Sequence, residues 1–382
     1  MIQRSLWTNR IEHYWCERPI IWLTAPRRVG KTTLAKSLAD TIYIDCELPS
    51  QRRDVEDTES FLRRNAGRRI VLDEIHRIED PSNLLKVAAD HFPGTRVLAT
   101  GSSTLSASAR FRDTLAGRKR SLHLQPILAT ELPLFHASLE KRLLHGGLPE
   151  QLLAASPSDT DFREWMEAYW ARDILELFAV GKRHAFFKFL ELLCLQSGGL
   201  CELSQLATPC QVSRQTLANY LDILHATGVV RVIRPFAKNP TREILAMPKI
   251  YAFDTGFVCH VRGFDSLRSE DMGTLWEHLV LDFLHFELPP EEIHYWRDKQ
   301  RHEIDFVWAP RRGQPVAIQC KWRVAACEPD DFTPFTSLYP NAARWVIAAD
   351  RKDWMARAHK GQLHIETGLD GLSELIANHR KS

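Results

Sequence analysis

The sequence predicts an α/β domain with a parallel sheet in its first third, then an all-α part with a β wing, then an α+β part. Three observations support this prediction. Near residue 30 an apolar run is followed by a loop and a helix, and further short apolar runs end in polar residues. After residue 130 amphipathic helices dominate, and an alternating hairpin pattern appears near residue 305. A change of period along the chain is typical of several domains.

Length and composition restrict the class of protein. The 382 residues are too many for one ordinary core and predict two or three domains. The net charge is only +2, so any nucleic-acid surface must be local. No apolar run approaches the ~20 residues that span a bilayer. The N-terminus lacks the apolar core of a signal peptide, and the eight cysteines are scattered. We therefore expect a cytoplasmic protein that does not enter the membrane.

The first element pair places a loop between a strand and a helix. The run Ile20–Leu23 predicts a buried strand, and a helix is expected to begin near Lys31. Backbone N–H groups of such a loop cradle phosphate oxygens at the positive end of the helix. Lys31 would reach the β- and γ-phosphates of ATP, and the Thr32 hydroxyl would ligate Mg²⁺. The alternative is a chance turn before an ordinary helix. The candidate nucleotide-binding residues of this loop are Ala25, Pro26, Arg27, Arg28, Val29, Gly30, Lys31, Thr32 and Thr33.

A second apolar run, Arg69–Ile75, contains two acids directly after its buried positions. A buried parallel strand has this pattern and presents functional side chains at its carboxyl end. Asp73 would hold Mg²⁺ through water, and Glu74 would orient or deprotonate the attacking water. The alternative is that the two acids only cap the following helix.

Further strands are predicted over residues 41–45, 96–103 and 121–126. Before the last of these, Arg118 lies in the basic run Arg118–Arg120. Its guanidinium would stabilise transition-state charge in cis or in trans, which leaves the oligomeric state open. The alternative is a solvated arginine with no role in catalysis.

The middle of the chain predicts a helical segment over residues 131–180, which would cover the nucleotide or link domains. A helix–turn–helix follows, and Ser213 would cap its second helix. A strand after Gly228 completes the pattern of a winged helix. The predicted elements are helices over 185–196, 203–207 and 214–226, a turn over 208–212 and a strand over 229–233.

A winged helix places polar side chains where they meet double-stranded DNA. Base-edge donors would come from the second helix, and basic wing residues would contact phosphates. The alternative is a domain that contacts a protein partner or orients its neighbours. The candidate DNA-contacting residues are Arg214, Gln215, Asn219, Arg231 and Arg234, with Lys238 and Arg242 further along the wing.

The last third contains a hairpin, Glu303–Trp308 and Val316–Lys321, that follows a predicted helix over residues 273–286. Its polar residues resemble the PD-(D/E)xK nuclease fold, a restriction-endonuclease-like fold in which two acids and a lysine gather Mg²⁺ and a water. Three interpretations remain: an active nuclease, a degenerate nuclease fold that binds DNA or a partner, and a purely structural hairpin. The candidate residues are Glu277 and Asp305 as metal ligands, Gln319 in place of the second acid, and Lys321.

These motifs together resemble the archaeal-type ATPases of the AAA superfamily. The resemblance is carried by A-P-R-R-V-G-K-T-T-L, I-V-L-D-E-I, A-T-G-S-S and L-A-G-R, and further by residues 146–150, 248–256 and 303–306. It extends from about Arg4 to Trp322, and the family usually has glycine where Ala25 stands. Members join an ATPase module to a C-terminal domain of unknown function. The resemblance also implies that Thr100 or Ser102 senses the γ-phosphate.

The combined expectation is an AAA-type P-loop ATPase that uses ATP and Mg²⁺ and couples hydrolysis to a DNA- or partner-binding C-terminal region. One alternative is a Mg²⁺-dependent DNA nuclease regulated by ATP. The other is a slow nucleotide-timed binding switch with a degenerate nuclease fold. The expected parts are an ATPase core over 1–135, a helical lid over 136–182, a winged helix over 183–262 and a nuclease-like domain over 263–382.

Overall fold

The first sheet of the protein has five parallel strands in the order β2-β3-β4-β1-β5. The structure is a computed structural model that describes residues 2–101, 113–156, 158–175, 178, 180–237, 247–326, 328–350, 363–369 and 371–381. The strands of this sheet are β1 Ile20–Thr24, β2 Thr41–Asp45, β3 Arg69–Asp73, β4 Arg96–Thr100 and β5 Lys119–His123.

The central strands of this sheet are buried because both of their faces carry apolar side chains. All five residues of β1 are buried, as are four of the five in β3 and in β4. The parallel register pairs Ile21 with Leu98, and Ile70 with Val97. Since all the strands run the same way, their carboxyl ends meet at one edge. The loop after β1 and the acids at the end of β3 therefore lie at the same edge.

Helices surround the first sheet, and their ends follow local sequence. Gly30 has φ 102° just before the helix at Lys31, a conformation that glycine adopts without steric cost. On the first helix Trp7, Ile11 and Trp15 recur every four residues and are buried together. The helices of this part are Ser5–Glu17, Lys31–Lys36, Pro49–Glu56, Thr58–Arg64 and Pro81–His91, with a 3₁₀ turn at Ile75–Arg77.

The middle of the chain is helical and is built around aromatic side chains. Trp165 stacks on Tyr169 and on Phe253 with ring centroids 5.1 and 5.3 Å apart, so these aromatic residues belong to the core. A π-helix follows helix Asp159–Tyr169 directly. The elements are a 3₁₀ segment Ala129–Phe135, helices Leu139–His145, Pro149–Leu153 and Asp159–Tyr169, π-helix Trp170–Ile174, and helices Arg183–Leu195, Leu203–Cys210 and Arg214–Ala226.

The helix–turn–helix expected here differs from the structure at one boundary. The first of its two helices continues to Cys210, although a turn was expected over residues 208–212. Pro209 lies in the last turn and cannot donate a backbone hydrogen bond, and the helix ends one residue later, where Gln211 has φ 53° and its N–H donates to the Ala207 carbonyl. Ser213 caps the second helix as expected, since its hydroxyl accepts a hydrogen bond from the Thr216 N–H.

The second sheet joins the middle and C-terminal parts of the chain. Its eight strands have the order β13-β12-β11-β10-β9-β7-β8-β6. β7 runs parallel to β9, with Arg234 opposite His294 and Pro235 opposite Tyr295. A boundary at 262/263 therefore does not separate two sheets. The strands are β6 Gly199–Leu200, β7 Val230–Pro235, β8 Lys249–Ala252, β9 Ile293–Arg297, β10 Glu303–Trp308, β11 Val316–Lys321, β12 Ala343–Ala348 and β13 Leu363–Thr367.

The expected hairpin is present as the antiparallel pair β10 and β11, with Phe306 opposite Ile318. The 19-residue helix Ser269–Glu287 packs on this sheet, and Trp276 Nε1 donates a hydrogen bond of 2.9 Å to the Ile347 carbonyl. The remaining helices are Thr255–Arg262, Thr333–Leu338 and Leu372–Lys381, with 3₁₀ turns at Pro290–Glu292, Val324–Ala326 and Pro329–Phe332.

One hydrophobic cluster extends through all these parts of the molecule. It contains Leu98 of the first sheet, Trp165 of the helical middle and Trp345 of the second sheet. The parts therefore share a buried core. Among the described residues, no helix combines the length and the apolar character that a membrane crossing requires.

Candidate functional site

A cavity of about 680 Å³ lies at the carboxyl edge of the first sheet. It is lined by the whole stretch Ala25–Leu34, by Asp73 and Glu74, and by residues of the helical middle. The loop after β1 and the acids of β3 converge there, as expected for strands that end at one edge. The middle contributes Phe135, Pro149, Glu150, Leu153, Tyr169, Arg172, Asp173 and Thr227.

The loop itself has the backbone of a phosphate cradle. Arg28 and Gly30 have positive φ, at 60° and 102°, whereas Ala25 is not among the residues with positive φ. Lys31 Nζ donates a hydrogen bond of 2.9 Å to the Ala25 carbonyl oxygen. The alanine at the first motif position is therefore compatible with the loop, because no left-handed conformation is required of it.

The ammonium group of Lys31 is placed among charges of both signs. Burial lowers the pKa of Lys31, while the charges of Glu74, Asp173 and Asp73 oppose that effect. Arg27 adds a further positive charge at the same place. A bound anion would favour the charged form of this lysine, which suits a phosphate-binding role.

Asp73 is buried at the end of β3, with 3% of its surface exposed. Its carboxylate accepts a hydrogen bond of 2.6 Å from the Tyr43 hydroxyl and another from the Thr100 hydroxyl. Thr100 Oγ1 also accepts the Glu74 backbone N–H at 3.0 Å. Thr100 thus connects the two acids from the end of β4 but does not itself line the cavity. The other proposed γ-phosphate sensor, Ser102, lies outside the described residues.

Glu74 projects into the cavity from a left-handed backbone with φ 54°. Such a conformation is unfavourable for a residue with a side chain and is frequent at functional sites. His76 Nδ1 lies 3.2 Å from Glu74 Oε2. Burial alone would raise the pKa of Glu74, but His76 and Lys31 outweigh it and lower the pKa. The lowered pKa keeps the carboxylate ionised, so that it can accept a hydrogen bond from a water molecule in the cavity.

The helical middle closes one side of the cavity and contacts the loop after β1. Arg27 Nε lies 2.5 Å from Asp173 Oδ2, and Trp165 Nε1 donates a hydrogen bond of 3.1 Å to the Arg27 carbonyl. Asp173 and the cavity-lining Arg172 belong to the π-helix, an element that is frequent at functional sites. Sequence reasoning missed both residues; the only signal was an adjacent pair of opposite charges inside an aromatic amphipathic segment.

Arg118, proposed as a catalytic arginine, does not line this cavity. Its guanidinium pairs with both carboxylate oxygens of Asp90, at 2.6 and 3.0 Å. That pairing raises the pKa of Arg118. A cis role in this conformation is therefore not supported, and a role in trans stays a prediction.

The expected DNA-contacting residues fall into two groups. Arg214, Gln215 and Asn219 are exposed or half-buried on one helix, and Gln215 Nε2 donates to Asn219 Oδ1 at 3.3 Å. Arg234 is exposed on β7, and Lys238 and Arg242 lie outside the described residues.

Arg231 differs from the expectation that it contacts DNA. Only 7% of its surface is exposed, and its Nη1 lies 2.5 Å from Asp282 Oδ1. Its Nη2 donates to Gln125 Oε1 at 2.6 Å. On a short strand, alternate residues face opposite sides, and Arg231 lies on the side covered by helix Ser269–Glu287. It therefore offers no free cation to phosphates.

The four nuclease-like residues are near one another but have separate partners. The Tyr251 hydroxyl donates to Glu277 Oε2 at 2.8 Å, and the Cys320 N–H donates to Asp305 Oδ2 at 2.7 Å. Gln319 Nε2 donates to the Glu303 carbonyl at 2.7 Å. Lys321 Nζ lies 3.1 Å from Asp331 Oδ2.

The two carboxyl groups of this cluster influence each other. Burial raises the pKa of Glu277 to about 8, and the charge of Asp305 adds to the effect. Burial also raises the pKa of Asp305, opposed first by Lys249. Lys249, on β8, was not singled out in the sequence because 54 residues separate it from its partner Glu303.

Three families match successive parts of the chain. Residues 17–132 match the family described as AAA domain. Residues 136–268 match a domain of unknown function, DUF8612, and residues 272–362 match another, DUF4143. An uncharacterised protein of Mycobacterium tuberculosis is 28% identical over 333 residues, which covers 84% of this chain and 74% of that protein.

Two solved structures are similar at low identity. The Walker-type ATPase of Pyrococcus abyssi has 14% identity and a TM-score of 0.44 and covers 69% of this chain and 96% of that one. The Orc1 protein of Aeropyrum pernix, solved in complex with DNA, has 13% identity and a TM-score of 0.28. The match covers 69% of this chain and 93% of the Orc1 chain. The loop, the parallel sheet and the family match agree on one conclusion: residues 17–132 form a parallel α/β domain that is similar to the AAA domain and has a P-loop after its first strand.

Proposed function

We propose that the protein binds ATP with Mg²⁺ in the cavity of the first sheet and hydrolyses it to ADP and phosphate. The observation that carries the proposal is the convergence of Lys31, Asp73 and Glu74 on one cavity of about 680 Å³. A cavity of this size is typical of a small-molecule site, and its many charged side chains suit a ligand that carries phosphates.

The residues present fit a hydrated Mg²⁺ ion. Thr32 and Asp73 line the same cavity, and hydroxyl and carboxylate oxygens are the ligands that Mg²⁺ accepts. Hydrogen bonds from Tyr43 and Thr100 hold the Asp73 carboxylate in place. When bound, the ion would neutralise phosphate charge.

Each charged residue has a distinct task in this proposal. Lys31 and Arg27 bring positive charge to the phosphates, which lowers the energy of the transferring group. Glu74, which its lowered pKa keeps ionised, accepts a hydrogen bond from the attacking water and orients or deprotonates it. Thr100 fixes the positions of the Asp73 carboxylate and the Glu74 backbone by a hydrogen bond to each.

Phosphate release in the presence of Mg²⁺ and ATP tests this proposal. Lys31→Ala is expected to abolish turnover and to weaken ATP binding, whereas Glu74→Gln is expected to abolish turnover with binding retained. Lys86→Ala and Glu79→Gln are matched controls because both residues are exposed and lie outside the cavity. Turnover at the wild-type rate in either site variant would refute the assignment.

We further propose that nucleotide state is passed to the rest of the chain through direct contacts. Thr227, at the end of helix Arg214–Ala226, lines the cavity, and its hydroxyl lies 2.7 Å from that of Tyr169. Gly228 follows with φ 75°, and a Cβ there would lie 2.6 Å from His123 Cε1 and 3.6 Å from Pro26 Cδ. A shift of the loop on nucleotide binding would therefore reach this helix.

The same helix carries Arg214, Gln215 and Asn219, which supports a winged helix that contacts double-stranded DNA or a protein partner. In this proposal the chain divides into the ATPase core 1–135, lid 136–182, winged helix 183–262 and nuclease-like part 263–382. The second candidate is a slow switch in which hydrolysis only times partner binding.

ATP turnover with and without duplex DNA distinguishes the two candidates. Coupling to DNA predicts faster turnover with DNA in the wild type and no such effect in Arg214→Ala. A nucleotide-timed switch for a protein partner predicts slow turnover that DNA leaves unchanged.

A further inference from the structure

A buried lysine stands inside the acidic cluster formed by Glu277, Glu303 and Asp305. Lys249 is only 3% exposed, and its ammonium pairs with the Glu303 carboxylate. Its charge also acts on Glu277 and Asp305. Burying an ammonium group costs free energy unless it is paired with a negative charge. The three acids around Lys249 therefore make a buried lysine tolerable at this position.

The strand geometry explains how the Lys249 ammonium comes to pair with Glu303 while its charge acts on Glu277 and Asp305. Lys249 and Tyr251 are two residues apart on β8 and so point to the same face. Tyr251 donates its hydroxyl to Glu277, while Lys249 pairs with Glu303. Glu303 and Asp305 likewise share one face of β10. The two strand faces thus bring a cation and a hydroxyl donor against the acids.

The other polar groups of the cluster are also engaged by protein donors. The Cys320 N–H donates to Asp305 Oδ2 at 2.7 Å, and Arg297 Nη1 lies 3.3 Å from Glu303 Oε2. Gln319 uses its amide as a donor, to the Glu303 carbonyl. Over the described ranges of the chain, no three His, Cys, Asp or Glu side chains are arranged to hold a metal ion. The cluster does not fit a metal centre.

We infer that Lys249 is a built-in cation that takes the place of a divalent metal in this cluster. The hairpin and helix Ser269–Glu287 then form a charge-compensated junction with β8, and not a metal-dependent nuclease centre. Carboxylates that share a buried site are stabilised in their charged form by a nearby positive charge, and here Lys249 supplies that charge. Because the lysine comes from the middle part, the junction also joins that part to the C-terminal strands.

The test measures Mn²⁺ binding to the full-length protein without nucleotide, by electron paramagnetic resonance of the free ion. Wild type and Glu277→Gln are expected to take up the same amount of Mn²⁺. The glutamine can still accept the Tyr251 hydrogen bond, so this variant removes the ionisable carboxyl group, which a bound metal would need, and little else. Lower uptake in Glu277→Gln than in wild type would overturn the inference, since it would show a metal already bound there.

Lys249→Met supplies the complementary arm, because methionine keeps much of the apolar stem and removes the cation. This variant is expected to bind additional Mn²⁺ and to gain melting temperature with it, and Lys249→Met/Glu277→Gln is expected to lose both gains. A folded Lys249→Met protein that binds no more Mn²⁺ than wild type would contradict the role given to the ammonium. If Lys249→Met does not fold, the comparison of Mn²⁺ uptake between wild type and Glu277→Gln still tests whether a metal binds in the cluster.

Discussion

At the scale of single residues, the phosphate-binding loop shows how an unusual residue can satisfy a motif. Ala25 stands where the motif has its first glycine, yet the positive φ angles fall at Arg28 and Gly30. The Ala25 carbonyl accepts the Lys31 ammonium at 2.9 Å, which closes the loop. The requirement at this position is a small residue with an available carbonyl, and alanine meets it.

Asp173 is the residue at which we expect a gain of affinity. It places a negative charge beside Arg27 and Lys31, where ATP would place its phosphates. Asp173→Asn removes this competition, so the Kd for ATP is expected to fall about tenfold, equivalent to ~1.4 kcal/mol. Titration with a fluorescent ATP analogue measures the change.

Asp159→Asn is the matched control, because Asp159 begins the helix before the π-helix, is 84% exposed and does not line the cavity. Its Kd should equal that of wild type. Weaker ATP binding by Asp173→Asn would mean that the carboxylate supports the loop more than it competes with phosphate.

At the scale of elements, the strands were the most predictable part. The runs 41–45, 69–75 and 303–308 were expected as strands, and the structure has strands at Thr41–Asp45, Arg69–Asp73 and Glu303–Trp308. Buried parallel strands and alternating hairpins carry their pattern in adjacent residues. The end of helix Leu203–Cys210 was not predictable in this way, because Pro209 favours an earlier end, whereas the last turn is closed by the Gln211 N–H on the Ala207 carbonyl.

Gly228 tests whether the helix before it is mechanically connected to the phosphate loop. Gly228→Ala adds a methyl group 2.6 Å from His123 Cε1, at a φ of 75° that disfavours a side chain. We expect a lower melting temperature and weaker ATP binding, because His123 must shift while the new methyl group contacts Pro26 of the phosphate loop at 3.6 Å. Differential scanning fluorimetry with and without ATP measures both effects.

Gly263→Ala is the control that distinguishes backbone strain from the steric contact with His123. Gly263 has a similar φ of 67° but open space around it. Among the described residues, no atom lies within 4 Å of the place that its added methyl group would take. This control should cost only the backbone strain, about 1 kcal/mol, and leave ATP binding unchanged. Equal losses of ATP affinity in the two variants would argue against a connection through Gly228.

At the scale of the whole molecule, buried charges join parts that are far apart in sequence. Arg142 is completely buried and donates to the Ile127 carbonyl, the Thr255 hydroxyl and Asp282, at 2.6, 2.9 and 2.9 Å. Asp282 in turn pairs with Arg231. The helical middle, the second sheet and helix Ser269–Glu287 thus share one ionic network.

Arg142→Met is therefore expected to destabilise the whole chain. The substitution leaves Asp282 with Arg231 as its remaining cation and removes the donor to the Ile127 carbonyl and the Thr255 hydroxyl. Breaking such a buried ionic network costs about 3–5 kcal/mol. We expect the melting temperature, measured by circular dichroism, to fall by several degrees. All parts should unfold in one transition because they share one core.

Arg183→Met serves as the control for an exposed pair. Arg183 is 45% exposed and pairs with Glu167, so its loss should cost no more than ~1 kcal/mol. If Arg142→Met melts at the temperature of Arg183→Met, the buried network does not stabilise the assembly of the parts.

The chain itself determined the P-loop domain, since Lys31, Thr32, Asp73 and Glu74 follow strands whose pattern is local. It also determined the hairpin at residues 303–321, because alternation is read from neighbouring positions. Only the tertiary structure decided which charges are free and which are compensated. Arg231 is buried against Asp282, Asp173 reaches the phosphate loop, and Lys249 enters an acidic cluster. Burial and ion pairing depend on segments that lie 50 to about 150 residues away, and no local pattern encodes such partners.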